Sequence, residues 1–387
     1  MAEERSARIL ILSASVGSGH LRAAEALAHA LGAAAPQAAV SNVDVLALAN
    51  KAFRRLYGQG YLDFANRAPH LLGYVYDLLD RPKGKPGDED AGRLLRVALE
   101  RLNLKPFVKL LKSQPWDIVV NTHFLPAEII ASLRLAGSVA LPQVTVTTDF
   151  MTHRMWVQEP CEHYFTACEE AAVYLGALGV AAERVSVTGI PIDPAFAAVP
   201  SAGACRAAHG IAGDRPVVLL LSGGFGVGPV EKIFQHLLAV QAPLEVFAVC
   251  GRNAELERRL AGRPAPERHR VRVLGYSRRI EELMAAADVI ITKPGGLSSA
   301  EALACGGALV VVNPIPGQES RNADFLLENG AAVKIGPIAT LPYKIEALLR
   351  NPGRRQALVR NARRLARPRA AFEIAAKVLA LAAAGAR

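Results

Sequence analysis

Short apolar runs alternate with alanine-rich amphipathic stretches along most of the chain. The first half places such runs at residues 8–13 (RILILS), 39–43, 117–121 (DIVVN), 143–148, 163–167 and 184–188. The second half places them at 216–221, 244–250, 271–274, 289–292, 309–313 and 332–335. Each is too short for a helix and is bounded by glycine, proline or polar residues, so each reads as a strand. Most run apolar on consecutive positions, as strands buried on both faces by crossover helices do. Helices are predicted at 21–31, from Pro126 and at 169–178, with further helices between the later strands. GIPIDPAF (189–196) and the low-complexity stretch to Ala204 interrupt the alternation and read as a linker.

The predicted fold is therefore α/β, with two tandem doubly wound, Rossmann-like parallel-sheet domains at 1–198 and 199–353 facing a cleft. Residues 354–387 form a helical tail, divided at Pro368, whose last helix is expected to cross back. A length of 387 residues suits two domains that each bury a core. Only 6% of the chain is aromatic, so alanine, leucine, valine and isoleucine must build those cores.

One segment breaks the pattern. Residues 51–85 hold four of the eight tyrosines, interleaved with Arg54, Arg55, Arg67, Arg81, Lys83 and Lys85. Two readings fit: an amphipathic surface at a lipid headgroup layer, or a helical insertion packed on the first domain. The formal charge of +10 favours anionic or phosphorylated partners without choosing among them. No nucleic-acid module accompanies it, so no nucleic acid is expected as a partner, and no protein partner is indicated. The run 9–12 is too short for a leader and begins a strand, and no run reaches the roughly 18 apolar residues of a membrane span. Membrane contact is expected to be peripheral. The five cysteines form no CxxC pair and read as reduced, buried thiols. Cys161, His163 and Cys168 lack a second ligand pair for zinc, and Asp88–Glu89–Asp90 reads as solvated charge. No metal and no cofactor are expected.

Candidate chemistry gathers where predicted strands end. In 291–323, a Lys-Pro-Gly-Gly turn and a Pro/Gly turn each lead from a strand into a helix. Helix starts at that edge of an open parallel sheet offer N–H groups to anions, so the stretch suits a nucleotide-sugar diphosphate. SGGFGVG (222–228) has the same placement but is neither a dinucleotide fingerprint nor a Walker A loop. In the first domain, Gly17-Ser18-Gly19-His20 opens a helix after the first strand. A neutral histidine there suits general-base work, and the helix N-terminus disfavours its charged form. It also suits a helix-start histidine bonded to nearby backbone. Glu301, three residues after Ser298, fits a capping box or a carboxylate that accepts ribose hydroxyls.

Taken together, SASVGSGHLRAAEAL, TTDFMTHRMWV, HYFTACEEA, TGIP, SGGFGVGPVEK, VCGRN, LGYSRRIEELMAAADVIITKPGGLSSAEALACG and NPIPGQESRNADFL resemble the GT-B glycosyltransferases. Specifically, they resemble the group of monogalactosyldiacylglycerol synthases and processive diacylglycerol glucosyltransferases, related to MurG-type enzymes. The resemblance spans roughly residues 8–335. It implies a UDP-sugar donor in the second domain, with the uracil read near Tyr276 and the ribose by Glu301. It implies diphosphate contacts from Ser222, Gly223 and Gly224, from Gly295, Gly296, Leu297, Ser298 and Ser299, and from Gln318, Glu319 and Asn322. Arg252 and Asn253 match the stretch beside the donor. His20 matches the catalytic base, and Gly17, Ser18, Gly19, Asp149, His153 and Trp156 match the acceptor side. The implied activity is an inverting, metal-independent transfer of a hexose to a membrane lipid, diacylglycerol first among them. The chain would then work in the cytoplasm against the anionic inner face of the cell membrane. Rival readings are a MurG-like transferase using a polyprenyl-diphosphate acceptor, a UDP-sugar epimerase, and a non-catalytic UDP-sugar-binding peripheral membrane protein.

Overall fold

The computed structural model describes residues 6–50, 54, 105–224 and 228–385. The aromatic and basic segment 51–85, except Arg54, lies outside the described residues, as do Asp88–Glu89–Asp90 and residues 225–227 of the glycine loop. The described Arg54 donates to the carbonyls of Leu46, Ala47 and Ala49, so this cation is engaged with the chain's own backbone. Contacts divide the chain into two compact units: Met1–Pro194 with Arg369–Arg387, and Ala195–Pro368.

The first unit holds a six-stranded sheet in the order β2-β1-β3-β4-β5-β6. Its strands are β1 (Arg8–Ser13), β2 (Ala39–Asp44), β3 (Ile118–Asn121), β4 (Gln143–Val146), β5 (His163–Thr166) and β6 (Val185–Val187). All pairings are parallel, with Ile9 opposite both Val40 and Ile118. Every position of β3, β4 and β5 is buried, which explains their unbroken runs. Two of the polar positions pair with each other: Asn121 Nδ2 donates to Gln143 Oε1 at 2.9 Å.

Helix α1 (Ser18–Ala34) covers one face together with the chain's last helix, where Ala24, Leu27 and Leu31 pack with Ala371, Ile374, Ala375 and Val378. Alanine at so many contact positions lets helix and sheet approach closely without aromatic filling. The other face is covered by α2 (Lys105–Leu111) and α3 (Phe124–Leu135), through Phe107, Leu111, Leu125, Ile129 and Ile130. Helix α4 (Glu169–Ala177) joins β5 to β6.

The second unit repeats the architecture, with sheet order β12-β11-β10-β7-β8-β9. Its strands are β7 (Val217–Leu221), β8 (Glu245–Val249), β9 (Arg270–Leu274), β10 (Val289–Thr292), β11 (Ala308–Val312) and β12 (Ala332–Ile335), again all parallel. Its helices are α5 (Ala202–Ala208), α6 (Val230–Leu238), α7 (Ala254–Ala261), α8 (Ile280–Ala286), α9 (Gly296–Cys305), α10 (Gln318–Glu328), α11 (Leu341–Arg350) and α12 (Pro352–Leu365). The doubly wound pair expected from the sequence is thus present.

The stretch expected as a tail divides between the units. Helix α12 ends at extended Ala366, two residues before Pro368, and α13 (Ala370–Gly385) belongs to the first unit's core. Proline has no N–H to continue a helix, and it biases the preceding residue away from helical backbone.

Each sheet contains one reversal of strand order, between β1 and β3 in the first unit and between β7 and β10 in the second. Loops leaving the two strands at such a point diverge to opposite faces and open a crevice at the carboxyl edge.

Ile374 is fully buried between α13 and the sheet. Ile374→Ala is expected to destabilise the first unit by about 2–5 kcal/mol, read as a lower denaturant midpoint by circular dichroism, with the second unit's transition unmoved.

Candidate active site

At the first unit's reversal point, the turn after β1 delivers Gly17 as the extended N-cap of α1, and no side chain caps it. The helix starts earlier than its apolar periodicity suggests, so Ser18, Gly19 and His20 form its first turn. A Cβ built on Gly17 would meet no atom within 4 Å, so the space over this turn is open. His20 Nδ1 lies 2.9 Å from the Thr122 carbonyl and 3.0 Å from Thr148 Oγ1. A carbonyl only accepts, so Nδ1 carries the hydrogen and the neutral ring has its lone pair on Nε2. Thr122 Oγ1 donates in turn to the His20 carbonyl at 3.0 Å, fixing both residues.

Burial lowers the pKa of His20 from 6.5 to about 4, and the bond to the Thr122 carbonyl opposes the shift only in part. The ring is neutral, as the sequence suggested, but desolvation rather than the helix N-terminus is the main cause. The two sequence readings of His20 also turn out to be compatible: one nitrogen bonds backbone while the other keeps the lone pair a base needs.

A second histidine, His123, stands beside it with ring centroids 4.6 Å apart in an edge-to-face arrangement. It is the N-cap of α3, and its Nδ1 accepts the Leu125 N–H at 3.0 Å. Burial, reinforced by the nearby His20 and His153, holds its pKa well below the ordinary histidine value. Sequence reasoning missed His123, although it follows a strand's carboxyl end as the glycine loop before His20 does. Trp156, 1% exposed, lies within 6.4 Å centroid to centroid of His20, His123, Phe124 and His153. Trp156 and His153 therefore belong with His20 in one ring cluster. Asp149 follows Thr148, the hydroxyl partner of His20, and is half-buried.

At the second unit's reversal point, Ser222, Gly223 and Gly224 follow β7, with Gly223 at φ +76°. The turn after β8 presses on them: a Cβ on Gly251 (φ +61°) would lie 2.8 Å from the Gly223 carbonyl oxygen. Arg252 stacks its guanidinium 5.5 Å from the ring centre of Tyr276, which is 63% exposed. Asn253 caps α7, accepting the Leu256 N–H at 2.9 Å. Of this predicted pair, Arg252 thus lies beside Tyr276 while the Asn253 carboxamide oxygen has structural work.

After β10, Gly295 is the extended N-cap of α9, and a Cβ there would meet nothing within 4 Å. Gly296, Leu297 and Ser298 form the first turn. The buried hydroxyl of Ser299 has no hydrogen-bond partner among the described residues. Because the cap is Gly295, Ser298 is the third helical residue and Glu301 the sixth. The capping-box alternative for Glu301 therefore fails, since a carboxylate at the sixth position cannot reach back to the N-cap amide. Glu301 is buried, 1% exposed.

After β11, Gly317 (φ +96°) leads into α10, whose first turn holds Gln318 and Glu319, with Asn322 fully buried one turn on. Glu319 accepts the Ile315 N–H at 2.8 Å and faces Lys293 Nζ at 3.8 Å. Burial raises its pKa, against the pull of Lys293 and of that N–H. Lys293 is the second residue the sequence reading passed over as a site group, although it directly follows β10. A Cβ on Gly228 would lie 3.6 Å from Asn313 Nδ2 and 4.0 Å from Lys293 Cδ. Chain from the ends of β7, β10 and β11 thus converges, as an anion crevice requires.

The first unit therefore presents a neutral imidazole of fixed tautomer within a ring cluster. The second presents two helix starts, a cation and a glycine turn. Among the described residues, no grouping of three or more His, Cys, Asp or Glu side chains is arranged to hold a metal ion.

His20 should stay neutral in an NMR titration until the pH approaches 4, well below the behaviour of a free histidine. Its folded pKa is depressed, so between about 4 and 6.5 the unfolded chain binds a proton that the folded chain refuses. Its contribution to stability is complete above pH 6.5 and is lost as pH falls through that window. Gly251→Ala should displace the Ser222–Gly224 turn and weaken nucleotide-diphosphate binding about tenfold, read by calorimetry, with little change at His20.

The model of the family described as monogalactosyldiacylglycerol (MGDG) synthase matches residues 20–192, and that of glycosyl transferases group 1 matches residues 229–365. A processive diacylglycerol beta-glucosyltransferase of Bacillus cereus (strain AH187) is 28% identical over 384 residues, covering 97% of this chain and 94% of that one. Among solved structures, MurG of Acinetobacter baumannii superposes with a TM-score of 0.60 at 18% identity, covering 97% and 99% of the two chains. Anabaena Alr3699/HepE, solved in complex with UDP-glucose, superposes with a TM-score of 0.53 at 17% identity, covering 98% of each.

Proposed function

We propose that this chain, a GT-B protein of the group uniting monogalactosyldiacylglycerol synthases with processive diacylglycerol glucosyltransferases, is an inverting glycosyltransferase. It moves a hexose from a UDP-sugar to a hydroxyl of a membrane lipid, diacylglycerol first. The observation that carries this reading is the His20 tautomer: Nδ1–H is committed to the Thr122 carbonyl, which leaves Nε2 able to take a proton. The relatives' names support the lipid acceptor, and a glucose donor fits the same names.

In this mechanism, Nε2 of His20 accepts the proton of the lipid hydroxyl as that oxygen attacks the anomeric carbon. The bond from that carbon to the diphosphate oxygen breaks on the opposite face, and UDP leaves with the electron pair. The imidazolium formed is held by the Thr122 carbonyl, which offsets part of the burial penalty. The negative charge gathering on the diphosphate is met by N–H groups at Ser222–Gly224 and at the starts of α9 and α10, with Lys293 beside them. Glu301 accepts the ribose hydroxyls, and Tyr276 with Arg252 flanks the base. On this reading the ring cluster around Trp156 borders the acceptor. Among the described residues no helix is long and apolar enough to cross a membrane, and on this reading the enzyme works as a peripheral protein at the inner face of the cell membrane.

A panel of UDP-sugars incubated with diacylglycerol-containing vesicles, with products resolved as lipids, tests the reading directly. Hydrolysis or epimerisation of the donor without lipid glycosylation would overturn it. His20→Ala should lower kcat by about 10²–10⁴ while UDP binding measured by calorimetry stays unchanged. Glu301→Gln should do the reverse, weakening UDP binding about tenfold or more. Activity should survive an excess of EDTA, since protein groups rather than a divalent ion neutralise the leaving group.

A further inference from the structure

The second unit holds a cavity of about 390 Å³, open to solvent, lined by Arg206, Arg355, Arg360 and Arg363. It lies at the end of the sheet remote from the crevice described above. Asp288, on its wall, immediately precedes β10, whereas Lys293 directly follows that strand. The four extended residues between them put the two roughly 16 Å apart.

The charge of this cavity is unbalanced. Arg206 is neutralised: its Nη2 bonds Asp288 Oδ2 at 2.8 Å, and its Nε donates to the Ala286 carbonyl. The same carboxylate oxygen also accepts the Val217 N–H at 2.8 Å, so its capacity is taken up. The guanidinium groups of Arg355, Arg360 and Arg363 have no hydrogen-bond or ion-pair partner among the described residues. They come from α12, which carries arginine at 354, 355, 360, 363 and 364 and no carboxylate. Like charges three and four residues apart on a helix repel, so α12 gathers positive charge at its own expense. The guanidinium of Arg363 lies over Gly306 (φ +85°) at the cavity wall, where a Cβ would come within 3.3 Å of its Nη2.

We propose that this cavity is a binding site for a small phosphate-bearing anion, either inorganic phosphate or a soluble phosphomonoester. A phosphate dianion offers three equivalent oxygens to three guanidinium groups, whose planar donors match that geometry better than ammonium groups would. Ala202, Ala285 and Val359 give the cavity an apolar wall that focuses the field of the arginines. The volume exceeds that of phosphate alone, leaving room for a short carbon chain on the ester. The concave shape favours a small ligand over a flat bilayer surface.

Calorimetry on the full chain, titrated with inorganic phosphate and separately with glycerol phosphate, provides the test. Saturable binding is expected, weakened about tenfold or more in Arg355→Gln/Arg363→Gln. The matched pair Arg354→Gln/Arg364→Gln removes the same charge from the same helix but lines no part of the cavity, so it should change affinity less than threefold. Ala202→Asp, which brings a carboxylate to the wall without touching α12, should weaken binding as the first pair does. Tighter binding of the ester would assign the remaining volume to its carbon chain, while equal affinity would assign the site to phosphate alone. Absence of saturable binding, or equal weakening by both arginine pairs, would overturn the proposal. So would adsorption to anionic vesicles that both pairs abolish alike without any phosphate uptake, which would make α12 a membrane-facing helix instead.

Discussion

A parallel sheet sends every strand out at the same edge, and one reversal of strand order obliges two neighbouring loops to part there. That constraint underlies both halves of this protein. In the first unit it sets the turn before α1 beside the turn before α3, which brings His20 against the Thr122 carbonyl and next to His123. In the second it brings chain after β7, β10 and β11 together around Gly228, Lys293 and Asn313. The chemistry differs because the residues delivered differ. Rings and hydroxyls arrive at one crevice, and glycines, a lysine and helix starts without side-chain caps at the other.

The electrostatics follow the same division. At the first unit's crevice burial works against charge, and His20 and His123 are kept neutral by their surroundings. A ring that is desolvated and held in one tautomer keeps the lone pair of Nε2 unprotonated near neutral pH. In the second unit the arrangement favours negative charge. Even Glu319, whose burial raises its pKa, is pulled the other way by Lys293 and a backbone N–H. A neutral imidazole and a cluster of anion-favouring groups are thus carried by different sheets, and neither environment has to serve both.

Much of this was legible in the sequence. The twelve described strands lie where the sequence predicts them, with ends moved by a residue or two, and in β7, β10 and β11 an unbroken apolar run directly records burial on both faces. The glycine turns were visible for the same local reason. What escaped was set by tertiary packing. His123 carries no motif of its own, and its place depends on β1 and β3 being neighbours although far apart in sequence. The helix start at Gly295 turned an apparent capping box into an interior glutamate, since a Ser-x-x-Glu spacing does not say where the first turn begins. The cause of the neutral His20 was hidden for a similar reason: desolvation is a property of what surrounds a ring, whereas a helix start can be read from neighbours in the chain.

The placement of α13 bears on how the protein is made. Its apolar residues complete the core beside α1, at the opposite end of the chain, while the whole second unit is threaded between them. A chain leaving the ribosome presents the first sheet and α1 early, yet their shared apolar face stays uncovered until the final helix emerges. The second unit, continuous from 195 to 368, has its full sequence before then and can fold while the first unit waits. Synthesis must therefore pass the whole second unit and α13 before the half of the molecule that holds His20 can close.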